Sequence, residues 1–223
     1  MDIDFSALRV KMVDGQVRTT DVTNLKLLDA LLTVPREEFV EPAQRQLAYI
    51  DEDLRYLVAG GEQPRYLMEA SPFAKLVQLA EIGPNDFILD VGCGTGYSSA
   101  VFSRFASSVV ALESDPVLAE KAAAKLAALG YDNVAVVQGD LNAGYAKQGP
   151  YDVIFLEGSV GQVPAALLGQ LRDGGRLVAV EGQGNAGIAR LYVKSGDVVT
   201  ARRGFNAAIK PLPGFERAPE FHF

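Results

Sequence analysis

Several short stretches of this chain set acids and glycines at the ends of apolar runs. The first is ILDVGCGTGYSS, residues 88–99, in which a hydrophobic run closes on Asp90 and glycines follow at 92, 94 and 96. A dinucleotide fingerprint spaces its glycines G-x-G-x-x-G, so that pyrophosphate can approach a helix N-terminus. Here the spacing is G-x-G-x-G. A phosphate-cradling loop ends in Gly-Lys-Ser/Thr, and no lysine follows Gly96. A carboxylate at Asp90 repels pyrophosphate and suits a ligand with an amino group. The expected ligand at this turn is therefore cationic or neutral, not phosphorylated.

Two further acids follow in order. Glu113 closes the run SVVALE, about 20 residues beyond the first glycine, where a carboxylate can accept both hydroxyl protons of a ribose. Gly139-Asp140-Leu141 closes NVAVVQ, offering an acceptor for an adenine amino group and an apolar face for the ring. Taken singly, the glycines make a tight turn, Glu113 a cap and Asp140 a turn residue. Taken together at successive strand ends, they describe an adenosine ligand without phosphates, which is S-adenosylmethionine. Cys93 reads as a close-packed loop residue and not a nucleophile, since no base neighbours it and the single histidine, His222, stands near the C-terminus. Glu157, after YDVIFL, either lines the site or caps the next segment. No metal-ligand set is expected.

Strands and helices must alternate to bring these residues together. FILDV, SVVALES, NVAVVQGD and YDVIFLEG read as strands. Tyr97–Phe105, Pro116–Leu129 and VPAALLGQL read as helices, with an earlier helix over Phe73–Ile82. GRLVAVEG, ARLYVKSG and DVVTARRGF complete the strands. Such alternation implies a parallel twisted sheet with crossover helices. Ser195-Gly196-Asp197 reads as a hairpin, which adds an antiparallel edge. Upstream, DVTNLKLLDALL reads as a helix capped by Asp21 and ended by Pro35. A short helix is expected around Pro42–Leu47, and LVAGGEQPRYLMEASPF reads as loop with a short strand.

The chain has 223 residues, 48% of them hydrophobic, enough for one sizeable α/β domain with a small appendage. A formal charge of −7 and no dense Lys/Arg cluster disfavour nucleic acid as a partner. One cysteine permits no disulfide within the chain. There is no signal-peptide pattern at MDIDFSALRV and no bilayer-length apolar run. A cytoplasmic protein without membrane partners is expected.

At the level of motifs, DVGCGTGYSSAVFS, ALESD and VVQGDL resemble those of class I S-adenosylmethionine-dependent methyltransferases. LLDALLTVPREEFVEPAQRQLAYIDEDL resembles the N-terminal signature of protein-L-isoaspartate O-methyltransferases, and YDVIFLEGSVGQVPAALLGQLRDGGRLVAVEG is similar to that family's later core. The resemblance implies a seven-stranded Rossmann-like fold, with residues 1–72 a helical and loop cover on the acceptor side and 73–223 the cofactor domain. It implies a cofactor seated on Gly92, Gly94, Gly96, Glu113, Asp140 and Leu141, with Asp90, Cys93, Ser114 and Glu157 as further candidates along the same rim. The family reaction methylates the side-chain carboxylate of isoaspartyl residues in damaged proteins. A carboxylate is ionised at neutral pH, so alignment and desolvation suffice and no general base is needed.

On the acceptor side the chain departs from that pattern. The isoaspartyl enzymes carry Thr-Ile-Ser-x-Pro before the helix that precedes the glycine loop. Here the stretch is MEASP, residues 68–72, so that Met68 and Ala70 stand at the threonine and serine positions. Ser71, one step later, is the remaining candidate for the serine's role. Glu69 adds a negative charge, and GGEQPRYL is longer than the family's loop. Three readings follow: isoaspartyl methylation, weakened or lost; methylation of another acceptor, such as a small molecule; and non-catalytic cofactor binding by an interaction or sensing protein.

Overall fold

The computed structural model describes residues 3–56, 63–182 and 184–215. Residues 57–62, in the Gly-Gly stretch read as loop, and His222 lie outside them.

Seven strands form the central sheet: β3 (Phe87–Val91), β4 (Ser108–Glu113), β5 (Val134–Gln138), β6 (Tyr151–Val160), β7 (Leu171–Glu181), β8 (Ile188–Ser195) and β9 (Val198–Asn206). Their order is β5-β4-β3-β6-β7-β8-β9. The first five positions are parallel, and β8 and β9 are antiparallel additions. This is the expected Rossmann-like sheet with an antiparallel edge, and the hairpin at Gly196 is where the sequence placed it. The chain runs outward from β3 through β5, then returns to lay β6 against the other side of β3. Ligands of open α/β sheets bind at this reversal, at the carboxyl ends of the strands.

Strand β3 is buried nearly throughout, as a central parallel strand covered on both faces must be. Side chains alternate between faces. Ile88 points into an apolar layer shared with α2 (Leu25–Thr33), α3 (Ala70–Ala80), α4 (Tyr97–Ser103) and α5 (Pro116–Ala128). Leu89 and Val91 point into the opposite layer, with Leu141, α6 (Ala165–Gly169) and the tail residues Leu212 and Phe215. The N-terminal helix α1 (Phe5–Met12), which the sequence reading did not identify, ends in a π-helical turn over Val13–Val17. Met12, Val13 and Val17 join the first layer.

Several boundaries differ for local reasons. Asn24, not Asp21, caps α2, its side chain accepting from the Lys26 and Leu27 amides. Asp21 instead takes the left-handed conformation at φ 65°. Helix α3 starts at Ala70, three residues before the apolar period begins at Phe73. Helix α6 stops at Gly169, because Leu171 already pairs with Tyr151 in the sheet. The expected short helix at Pro42–Leu47 is present as a 3₁₀ helix. Two short strands, β1 (Leu54–Arg55) and β2 (Tyr66–Leu67), pair antiparallel and form an arm outside the main sheet. The Tyr56 amide extends their ladder by donating to the Arg65 carbonyl at 2.8 Å.

Candidate functional site

The glycine loop leaves β3 at Val91 and enters α4 at Tyr97. Gly92, Gly94 and Gly96 all have positive φ, at 83°, 58° and 96°. A side chain would be strained at each, so the loop backbone requires glycine at all three. The turn folds back on β4, with the Gly92 amide donating to the Leu112 carbonyl at 2.8 Å. Asp90 is fully buried and accepts the hydroxyls of Ser98 and Ser99, at 2.6 and 2.5 Å, from the first turn of α4. Burial pushes its carboxyl up to about 7, against the lowering effect of the two hydroxyls. Its other oxygen has no partner among the described residues. Glu157, on β6, also has a buried oxygen without a partner there, and burial followed by the Asp90 charge drives its carboxyl well above the ordinary range.

Glu113 sits at the end of β4 as expected, fully buried beside the loop. The Gly94 amide donates to one oxygen at 2.8 Å, and the Ser114 and Asp115 amides donate to the other at 2.8 and 3.0 Å. The remaining capacity of both oxygens is taken by Arg65. Its guanidinium makes a two-pronged contact at 2.5 and 2.9 Å and also donates to the Gly92 carbonyl at 2.9 Å. Arg65 itself is 8% exposed. Burial alone would lower its pKa, and the Glu113 carboxylate more than reverses that.

Above the loop lies Tyr56. A Cβ built on Gly94 would come within 2.6 Å of its ring, and one on Gly92 within 2.6 Å of the Leu212 side chain. Leu212 comes from the tail, whose backbone is pinned to β6 by reciprocal bonds with Ser159: Ser159 N–H to Lys210 C=O at 2.9 Å and Leu212 N–H to Ser159 C=O at 2.8 Å. The remaining candidates are arranged around this floor. Asp140 is exposed and accepts its own turn's Asn142 amide at 2.9 Å. Leu141 is buried in the same apolar layer as Leu212. Cys93 is buried, and burial raises its thiol well above the ordinary range, as an inert packing residue requires. Ser114 is exposed beside Glu113.

The acceptor segment follows the arm directly. Met68 and Ala70 are buried. The Ser71 hydroxyl donates to the Thr20 hydroxyl at 3.2 Å. Arg36, buried and 4.8 Å over the Tyr97 ring, donates to the Ala48 and Met68 carbonyls at 2.7 Å each. Glu69 lies against the turn carrying Asp51 and Asp53, its amide donating to the Asp53 carboxylate at 2.9 Å. Burial, then Asp51 and Asp53, push its carboxyl up to about 7. Between Met68, Tyr66, Asp53 and Glu157 the space left is a cavity of about 10 Å³, room for about one water. A groove of about 510 Å³ lined by Leu25, Pro84, Arg104 and Phe105 lies where β3 and β4 begin, at the opposite end of the strands.

Residues 9–209 match the family model described as Protein-L-isoaspartate(D-aspartate) O-methyltransferase (PCMT). The chain belongs to this family. A protein-L-isoaspartate O-methyltransferase of Koribacter versatilis (strain Ellin345) is 37% identical over 174 residues, covering 78% of this chain and 76% of that protein. One from Roseiflexus sp. (strain RS-1) is 34% identical, covering 98% and 100%. A solved protein-L-isoaspartate O-methyltransferase superposes with a TM-score of 0.79 at 26% identity, over 94% of this chain and 66% of that one. The fold is shared with a structure described as a putative member of the family from Plasmodium falciparum in complex with S-adenosyl-L-homocysteine, at TM-score 0.74 and 17% identity over 95% and 99% of the two chains.

The family consists of S-adenosylmethionine-dependent methyltransferases. The glycine cradle is formed, Glu113 stands at its rim, and unpartnered buried oxygens of Asp90 and Glu157 lie beneath. The cradle is nevertheless filled by the chain itself. Arg65 takes the carboxylate, Tyr56 covers Gly94 and Leu212 covers Gly92. In this conformation the site does not fit the cofactor. The sequence reading missed Arg65, Tyr56 and Leu212. The one signal pointing there was the length of GGEQPRYL beside the family's loop.

Proposed function

We propose that this family member is an S-adenosylmethionine-dependent methyltransferase whose isoaspartyl activity is weak or absent and whose acceptor is a group that carries a proton. The observation that carries this reading is Glu69. Half-buried and pushed up to about 7 by burial and by Asp51 and Asp53, it sets a cluster of acids where an isoaspartyl enzyme must welcome a carboxylate. Like charges at close range cost affinity and raise pKa values. A neutral hydroxyl or amine is tolerated there, and an acid poised near neutral pH suits proton acceptance from it. The acceptor residues support the same reading: Ala70 brings a methyl to the serine position, and the Ser71 hydroxyl is engaged by Thr20.

In this reading the cofactor supplies the activated methyl. Gly92, Gly94, Gly96 and Glu113 would hold it once the loop is uncovered, with Asp140 and Leu141 offered to its adenine and Asp90, Cys93, Ser114 and Glu157 as the further candidates around it. Residues up to 72 form the cover on the acceptor side, and the protein works in the cytoplasm.

The test is methyl transfer from S-adenosylmethionine to an isoaspartyl peptide, run beside the matched normal aspartyl peptide. The expected result is no transfer to the isoaspartyl peptide above the control. Robust isoaspartyl methylation by the wild type, lost in Ser71→Ala, would refute the reading and give Ser71 the family serine's role.

A further inference from the structure

The contact of Arg65 with Glu113 brings a cation from one end of the chain's cover to the carboxylate that the sequence assigns to a ribose. We propose that Arg65 and Tyr56 form a built-in plug of the cofactor site, which must withdraw from Glu113 and Gly94 before S-adenosylmethionine can bind. This rests on the cofactor half of the proposed function and on no assumption about the acceptor.

The contact is too well formed to be a chance surface pairing. A guanidinium matches a carboxylate in two parallel hydrogen bonds, and both are present here at 2.5 and 2.9 Å with the two side chains 8% and 0% exposed. A third bond, to the Gly92 carbonyl, ties Arg65 to the glycine loop itself. Glu113 does not need Arg65 to be satisfied as an acceptor. Three backbone amides, those of Gly94, Ser114 and Asp115, already converge on it from the loop and the strand end. What Arg65 takes is side-chain capacity on both oxygens, which is the capacity a ribose diol would use.

Tyr56 is coupled to Arg65 through the backbone. The Tyr56 amide donates to the Arg65 carbonyl, so the two side chains belong to one short ladder and move with it. Tyr56 lies in the space that a ligand lying on Gly94 must enter, since even a single carbon added there would stand 2.6–2.8 Å from its ring and hydroxyl. The same arm continues through Tyr66 into Met68, which closes the acceptor side to a cavity of about 10 Å³. Withdrawal of one arm would therefore free Glu113, uncover Gly94 and widen the space beside Met68, with Leu212 left on Gly92. The consequence is competition. The free energy that holds the plug is subtracted from cofactor binding, and affinity is reduced by the fraction of molecules that are open.

The experiment is calorimetric titration of the full chain with S-adenosylhomocysteine, with ligand-induced thermal shift as a second readout. The variants are Arg65→Met, Tyr56→Ala and the double variant Arg65→Met/Glu113→Gln. Arg65→Met is expected to bind at least about tenfold more tightly than the wild type, to melt lower without ligand, and to gain a larger shift with it. Tyr56→Ala is expected to change affinity in the same direction, and it carries the test if Arg65→Met does not fold. In the double variant the gain is expected to vanish, because the carboxylate that the plug releases is no longer there. If the wild type binds and neither single variant binds more tightly, the plug is overturned while the cofactor assignment stands. If neither the wild type nor the folded variants bind at millimolar ligand, both are overturned.

Discussion

The Arg65 guanidinium and the Glu113 carboxylate face each other across 48 residues of sequence in a two-pronged contact at 2.5 and 2.9 Å, buried at the end of β4. Charges so placed are held by each other. Replacing such a pair with apolar groups can be neutral, but removing one partner strands the other in a poorly solvated site, at a cost of about 3–5 kcal/mol. Glu113→Ala is accordingly expected to destabilise the fold by about that amount, leaving Arg65 with the Gly92 carbonyl. Arg65→Met should cost less, because three amides still serve Glu113. Urea unfolding of the two variants checks the ordering. Equal and small losses would mean that the pair is open to solvent.

The glycine loop carries a second, separable constraint. At Gly94 a side chain meets both a φ of 58° and the Tyr56 ring. Gly94→Ala should lose about 1–3 kcal/mol to backbone strain, plus a clash term. Adding Tyr56→Ala removes the clash and leaves the strain. A double-mutant cycle on unfolding free energies should therefore show coupling between the two sites, the Tyr56→Ala background tolerating the new methyl better. Strict additivity would place the ring away from Gly94.

Acid titration gives a third check. Asp90 is raised to about 7 in the folded protein, chiefly by burial. Between the ordinary carboxylate range and about pH 7 the folded state holds a proton that the unfolded chain has released. The contribution of Asp90 to stability is therefore largest below about pH 4 and falls as pH rises towards 7. Glu157, raised well above its ordinary value, acts in the same direction, as does the more exposed Glu69. Asp90→Asn should flatten the decline between about pH 4 and 7 in denaturant unfolding. An unchanged slope in that variant would assign the titration elsewhere.

Much of the floor of the site was legible in the sequence because it is local. A strand, three glycines and a helix start lie within Phe87–Ser103, and their order dictates a tight turn at a strand end. Glu113 and Asp140 follow from the next two strands by counting. The parallel sheet and its antiparallel edge follow from the alternation of elements and from the hairpin at Gly196, whereas the strand order and its reversal at β3 do not. What closes the site was not legible. Arg65 sits in the polar stretch GGEQPRYL, where nothing in periodicity marks an arginine for burial, since its partners are 27 and 48 residues away. Leu212 reads as a lone apolar residue among prolines, and only the bridge to Ser159 places it on Gly92. The N-cap of α2 was misplaced at Asp21 because two acceptors stand near the helix start, and the left-handed backbone at Asp21 removes it from the contest.

The most direct test of this account is a crystal structure of the chain saturated with S-adenosylhomocysteine, read at one place: the position of the Arg65 guanidinium. The guanidinium is expected to have left Glu113, Tyr56 to have moved off Gly94, and the ribose hydroxyls to stand on the freed carboxylate. Ligand bound at the glycine loop with Arg65 still paired two-pronged to Glu113 would contradict it.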